Sequence, residues 1–202
     1  MAPIRWDSIY FLDSMADYPA ARFDDPIWHI LCTSGGMSFI YRGWDYAIEE
    51  GDYVILPTGA QAYDFYETPD FRALVMCLSE SFVTAMAIHS NYGIVGHMSL
   101  LQNPVMHLTK HDFDICLEGM LFIRKRLSEM GHAFREEMLG HLLLAHILDL
   151  YDIHARMRPF VRVTERCADQ LRRFIALLNA GEYVQHRDLA HYAEALCVTP
   201  HY

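Results

Sequence analysis

The hydrophobic period of this chain changes once, and that change restricts its architecture more than any other feature. Between Pro26 and Ser79, short runs rich in β-branched and aromatic residues alternate in polarity and are cut by turns. The runs are Ile27 to Thr33, Met37 to Arg42, Trp44 to Ile48, Tyr53 to Leu56, Gln61 to Tyr66 and Phe71 to Leu78. Short strands at that spacing predict an antiparallel sandwich or barrel. The Gly35-Gly36 pair supplies the positive φ of a tight hairpin. After Pro104 the apolar residues recur at three and four instead, and no Pro interrupts Asp112 to Met130 or Phe134 to His154. Two antiparallel helices joined at Gly131-His132 are expected there.

The second of these helices carries two adjacent apolar stripes. Met138, Leu142, Ala145 and Leu148 form one, and Leu139, Leu143, Ile147 and Leu150 form the other. So wide an arc exceeds a single contact. It fits either a buried core helix or a helix that packs on its own sheet with one side and on a second subunit with the other. A homodimer through residues 112–154 is the expected partner.

With 202 residues, 52% of them hydrophobic, the chain has room for one cored domain, or a domain plus a piece. A net charge of −10 excludes a broad phosphate-gripping face. The distribution is uneven. Four arginines against thirteen acids leave −9 over residues 1–105, whereas the arginines between Arg156 and Arg173 leave that stretch at +4. Pro159 ends the preceding helix, and Thr164 is the expected N-cap of another, from Glu165 to Asn179, closed by Gly181.

Cysteines at 32, 77, 116, 167 and 197 are odd in number and lack a Cys-x-x-Cys pair, which argues for neither a disulfide framework nor a zinc ribbon. Cys32, Cys77 and Cys116 sit in apolar runs and read as small buried hydrophobes. A reducing, cytoplasmic setting is expected. The first residues lack a basic stretch followed by an apolar one, and no run is apolar for the length of a membrane span.

Chemistry-bearing patterns are sparse. No nucleophile elbow, Walker loop or dinucleotide fingerprint is present, and Ser34 before Gly35-Gly36 reads as a turn residue. His107 and His111 are four apart and fit one helix face at a helix start capped by Asp112, where a solvated pair is the simpler reading. His141 and His146 point in different directions. A ligand pocket would lie inside the barrel, where alternate strand residues converge. Trp28, Ile30 and Cys32 make one face of the first strand, Ile27, His29 and Leu31 the other, and the sequence leaves open which is inside. Trp28, Arg42, Gln61, Tyr63 and Phe65 are the candidate ligand contacts, aromatic walls with a few oriented donors.

The segment Gly51-Asp52-Tyr53-Val54-Ile55-Leu56-Pro57-Thr58-Gly59-Ala60-Gln61-Ala62 resembles the second conserved motif of cupins: Gly, five residues, Pro-x-Gly, two residues, His. Ala62 stands where that pattern has its metal-ligating His, and no His-x-His with its Glu lies around residues 36–50. The resemblance therefore implies a barrel without metal or other cofactor, which demotes enzymatic readings. Phe174-Ile175-Ala176-Leu177-Leu178, then Leu189-Ala190, Ala193, Leu196 and Thr199-Pro200-His201-Tyr202, resemble the first helix-turn-helix of AraC-type transcription regulators, with Cys197 at the turn position usually held by Gly. His186, His191 and His201 belong to this unit and need no catalytic role.

The order of the segments resembles the regulatory half of the AraC family over essentially the whole chain. The implied fold class is α+β: a cupin-like antiparallel β-barrel (1–105, ligand-sensing), an antiparallel helical hairpin for dimerisation (106–158), and a linker with a partial helix-turn-helix (159–202). Thr199, His201 and Tyr202 would begin the DNA-reading helix, and the chain is expected to be a fragment of a longer regulator. Promoter DNA is then a partner of the full-length protein only, a small molecule is the expected effector, and no membrane is involved. The competing reading is a metal-less or atypical cupin enzyme acting on a small metabolite.

Overall fold

The structure, a computed structural model, describes residues 8–15, 26–87, 103–129, 131–157, 169–170, 173–174, 177 and 181–199. The chain divides into two compact units, Met1–Arg158 and Pro159–Tyr202. In the first, the strands are β1 (Ile9–Leu12), β2 (Pro26–Ser34), β3 (Gly36–Tyr41), β4 (Trp44–Glu49), β5 (Asp52–Leu56), β6 (Ala62–Glu67), β7 (Arg72–Ser79) and β8 (Val105–His107). Helix α1 (Glu80–Ala87) follows β7, and α2 (Lys110–Ser128) and α3 (Arg135–Met157) form the hairpin.

The fold is α+β, but the expected barrel is not closed by hydrogen bonds among the described residues. The strands make a five-stranded sheet, β1-β7-β2-β5-β8, and a three-stranded sheet, β4-β3-β6, antiparallel throughout. The chain crosses between sheets at tight corners, where ladder pairing stops. Gly35 is one corner: its φ is +66°, and a Cβ there would lie 2.6 Å from the Phe71 backbone nitrogen. Of the Gly35-Gly36 pair, only Gly35 carries the positive φ. Gly51 (φ +94°) makes a second corner, donating to Cys32 O at 3.0 Å and accepting from Leu108 N–H at 3.3 Å.

Strand β2 is buried on both faces because it lies between two cores. Trp28, Ile30 and Cys32 pack with Val54, Leu56, Val75, Cys77, Met37, Phe39 and Tyr41 in the space between the sheets. Ile27 and Leu31 pack with Tyr53, Ile55, Leu74 and Met76 against Cys116, Met120, Ile123, Leu139, Leu143 and Leu150 of the hairpin. The two-residue period of the strand thus sends its odd and even residues to different layers.

The hairpin starts earlier than its periodicity suggests. Thr109, rather than Asp112, is the N-cap of α2: its hydroxyl accepts from Asp112 N–H at 3.2 Å and donates to Asp112 Oδ2 at 2.7 Å. The Arg135 guanidinium donates to the Leu127 carbonyl, capping the other end of α2. Leu139, Leu143 and Leu150 of α3 are buried, Met138, Leu142 and Ile147 partly so, and Ala145 and Leu148 are exposed.

In the second unit, residues 169, 170, 173, 174 and 177 are helical, and α4 (Glu182–Gln185) and α5 (Leu189–Ala195) follow. Thr164, the expected cap, lies outside the described residues, as does Cys167; Gly181 has φ +80°.

The two ends of the hairpin are joined at Asp112, whose side chain is buried and accepts from Arg156 Nη2 at 2.7 Å and Nη1 at 3.3 Å. Those bonds hold the carboxyl below its ordinary 3.8. The stabilisation is therefore complete above that value and is lost as pH falls through the lowered one. In Arg156→Met the carboxyl loses its main partner and protonates at higher pH, so the acid-unfolding midpoint followed by circular dichroism moves upward relative to the native chain. An unchanged midpoint would show that this ion pair does not hold the hairpin.

Candidate functional site

The five candidate ligand residues do not form one cluster. Trp28 and Phe65 meet in the space between the sheets, with ring centroids 5.4 Å apart, and Phe65 stacks on Phe39 at 5.7 Å, which stacks on Tyr46 at 5.6 Å. Arg42 and Gln61 meet at the end of the small sheet, where Arg42 N–H donates to Gln61 O at 3.1 Å, and both are exposed. Arg42 lies in the β3–β4 turn with φ +53°. Tyr63 is 49% exposed, whereas Phe65 packs against the core between the sheets.

The separation of Tyr63 from Phe65 has a local cause. Strict alternation would place residues 61, 63 and 65 on one face. The register slips between Ser38↔Tyr66 and Ile40↔Tyr63, and Asp64 has φ +55°. This bulge turns Phe65 inward beside Ala62 and leaves Tyr63 outside. Ala62, where cupins have a ligating His, is half-buried opposite Tyr41. The glycine of Pro57-Thr58-Gly59 has its own packing reason, since a Cβ at Gly59 would run into the Pro26 carbonyl oxygen.

Between the large sheet and the hairpin lies a second arrangement that no sequence motif marks. The Tyr53 hydroxyl of β5 is 3.0 Å from Nδ1 of His29 on β2 and 2.9 Å from Nε2 of His146 on α3, and all three are buried. A hydroxyl that bridges two neutral imidazoles gives its proton to one and accepts from the other. Burial, with the neighbouring His146 adding to it, lowers His29 to about 3, and burial lowers His146 to about 4. Both rings are therefore neutral through the physiological range. In the unfolded chain they titrate near 6.5, so the stability of the neutral pair is complete above that pH and is lost as pH falls toward 4 and then 3. The signal available in the sequence was weak: a His at alternate spacing on a strand and another on a helix stripe.

His107 and His111 do not share a helix face. His107 ends β8, where its Nδ1 donates to Oδ1 of buried Asp52 at 2.7 Å, and exposed His111 lies in α2. Asp52 Oδ2 accepts from Glu49 N–H at 3.0 Å, which fixes the carboxylate. His107 lines a cleft of about 300 Å³ with Asn103, Val105, Met106, His154 and Met157. Burial raises the thiols of Cys32 to about 11 and Cys116 to about 12, so neither is a nucleophile at neutral pH.

No protein-family model matches the chain, and no curated protein matches it. Over most of its length the chain is structurally similar to the AraC-like transcriptional activator CuxR, with a TM-score of 0.47 at 14% identity over 87% of this chain and 58% of that one. ToxT from Vibrio cholerae matches with a TM-score of 0.41 at 12% identity, over 95% of this chain and 76% of that one. Wild-type ToxT from the same organism with a bound unsaturated fatty acid matches with a TM-score of 0.37 at 8% identity, over 95% and 73%. All three similarities are distant. No helix among the described residues is long and apolar enough to cross a membrane.

In the second unit, Asp188 caps α5 by accepting from His191 N–H at 2.8 Å, and Ala193 is buried. The helix ends at a left-handed residue, Cys197 (φ +53°). Val198 N–H donates to Ala193 O at 2.9 Å and Cys197 N–H to Glu194 O at 3.1 Å, the paired bonds of a Schellman stop. Of the candidate DNA contacts, Thr199 is exposed just beyond this stop, and His201 and Tyr202 lie outside the described residues.

A side chain in the left-handed region costs about 1–2 kcal/mol that glycine does not incur. Cys197→Gly is expected to stabilise the second unit by about 1 kcal/mol, read as increased amide-exchange protection over residues 189–196. Lower protection would mean that Cys197 does not occupy this conformation.

Proposed function

We propose that this chain carries the regulatory and dimerisation functions of an AraC-type transcription regulator. Its first 105 residues form a cupin-like sensing domain, residues 106–158 pair two copies, and residues 159–202 contain a linker and the start of the first helix-turn-helix. One observation carries the reading. A capped helix, Leu189–Ala195, stops at a left-handed Cys197 ahead of Thr199-Pro200, as a helix-turn-helix requires. It follows, in chain order, a two-sheet unit with a helical hairpin.

The effector proposed is a small, largely apolar molecule that enters beside Trp28 and Phe65, with Arg42 and Gln61 at the rim as polar contacts. Tyr63, outside on the same strand, is a rim contact at most. DNA reading is assigned to the full-length protein, with Thr199, His201 and Tyr202 at the start of its recognition helix. The cytoplasm is the proposed location, as a regulator of this type requires.

A second reading, an atypical cupin enzyme acting on a small metabolite, draws support from His107, oriented by buried Asp52 in a cleft shared with His154. Turnover abolished by His107→Ala would favour it.

Dimerisation is the part tested most simply. Leu121 and Phe122 of α2 and Leu148 of α3 are 47%, 50% and 49% exposed, and burying what remains of each would contribute about 1 kcal/mol before association costs. The native chain is expected to sediment as a dimer at micromolar concentration and Leu148→Glu as a monomer. A native monomer at that concentration would overturn the hairpin as the pairing surface.

A further inference from the structure

Turns in the second unit bring together three side chains that are separated in sequence. Glu182 and His186 lie one helical turn apart, with Glu182 opening α4 and His186 just past its end, and His191 is in the first turn of α5. Glu182 Oε2 is 3.2 Å from His191 Nε2 and 4.0 Å from His186 Nε2, and the three donor atoms lie within 4.8 Å of one another. The imidazoles stack with centroids 3.8 Å apart, so both rings are held close to the same carboxylate.

The backbone beneath them is fixed independently of any ligand. His186 N–H donates to Glu182 O at 2.8 Å, and His186 O accepts from the Tyr192 hydroxyl at 3.1 Å. His191 N–H is held by the Asp188 cap at 2.8 Å. Tyr192 is braced edge-on by Phe174, at 5.5 Å between centroids. Both histidines therefore project from anchored positions, a form of preorganisation that surface histidine pairs lack.

We propose that Glu182, His186 and His191 form a binding site for a divalent transition-metal ion of the Zn²⁺ type. Two imidazoles and one carboxylate suit zinc rather than Mg²⁺ or Ca²⁺, which take oxygen ligands. Tetrahedral zinc with bonds near 2.0–2.2 Å places neighbouring donors about 3.3 Å apart. The 3.2 Å contact already meets that spacing, whereas the near-parallel rings would have to splay from their stack so that both Nε2 lone pairs converge on the ion and the 4.0 Å separation shortens. Water supplies the fourth ligand. The ion would join α4 to α5 across the turn at Arg187 and Asp188 and so hold the helix that precedes the Schellman stop. The site lies within the second unit, and the proposal does not rest on the chain binding DNA.

The test uses the 202-residue chain without a histidine tag, titrated with Co²⁺ and then with competing Zn²⁺. One equivalent of Co²⁺ is expected to give the visible absorption of a tetrahedral site, and Zn²⁺ is expected to displace it. His191→Gln and Glu182→Gln, each shown by circular dichroism to remain folded, should weaken uptake by roughly tenfold or more, whereas His107→Ala should leave it unchanged. Absence of Co²⁺ and Zn²⁺ uptake at 1:1 stoichiometry, or uptake that survives both variants, would overturn the proposal.

Discussion

The hydrogen-bonded chain His29–Tyr53–His146 organises the first unit, because it is a polar line through a contact whose buried part is otherwise apolar among the described residues. Cys116, Met120, Leu139, Leu143 and Leu150 meet Leu31, Ile55, Leu74 and Met76 around it, and apolar contacts of that kind tolerate sliding and rotation. The Tyr53 hydroxyl does not, since at 3.0 and 2.9 Å it fixes where α3 sits on β2 and β5. The fit extends to α2. A Cβ on Gly119 would lie 2.8 Å from Nδ1 of His146, an atom with no hydrogen-bond partner among the described residues. Helix α2 thus needs glycine where it passes the histidine, and the hairpin pair and the sheet set one another's position.

Much of this was legible in the sequence, and the illegible parts have physical reasons. The change of period separated strands from helices correctly because one face of each element is buried. The choice of which β2 face looks inward was open, since both faces are buried and both are apolar. The structure settles it by placing Trp28 between the sheets and His29 under the hairpin. β1 and β8 went unread because four and three residues are too few to show a period. Tyr63 and Phe65 were grouped because alternation holds only until a bulge, and the residue that makes it, Asp64, adopts a positive φ that no local pattern announced. Asp112 reads as a cap from its residue type, but in the structure it lies at the third helical position, paired with Arg156, and Thr109 is the cap. The Glu182, His186 and His191 trio is not visible in the sequence because its members are joined by a turn rather than by a motif.

Under the proposed function, β2 is the natural route between sensing and pairing. Trp28 faces the inter-sheet space and His29, the next residue, bonds to Tyr53 on the opposite face. A ligand that displaced the Trp28–Phe65 pair would move a strand whose other face is hydrogen-bonded to the hairpin, and the same hairpin carries exposed Leu121, Phe122 and Leu148. Coupling of this kind needs two discrete arrangements of the hairpin on the sheet, and a directional polar contact separates such arrangements better than apolar packing does.

The seating of the hairpin on the sheet therefore depends on Tyr53 and His146 acting as a unit. A double-mutant cycle of Tyr53→Phe and His146→Leu, with each stability measured by denaturant unfolding, tests that directly. The expected outcome is strong non-additivity, with a coupling of about 1–2 kcal/mol, because removing the Tyr53 hydroxyl leaves His146 Nε2 unsatisfied in an apolar interface, and removing His146 leaves the hydroxyl bonded to His29 alone. Effects that add to within about 0.3 kcal/mol would contradict this, since the Tyr53–His146 hydrogen bond would then contribute nothing to holding the hairpin on the sheet.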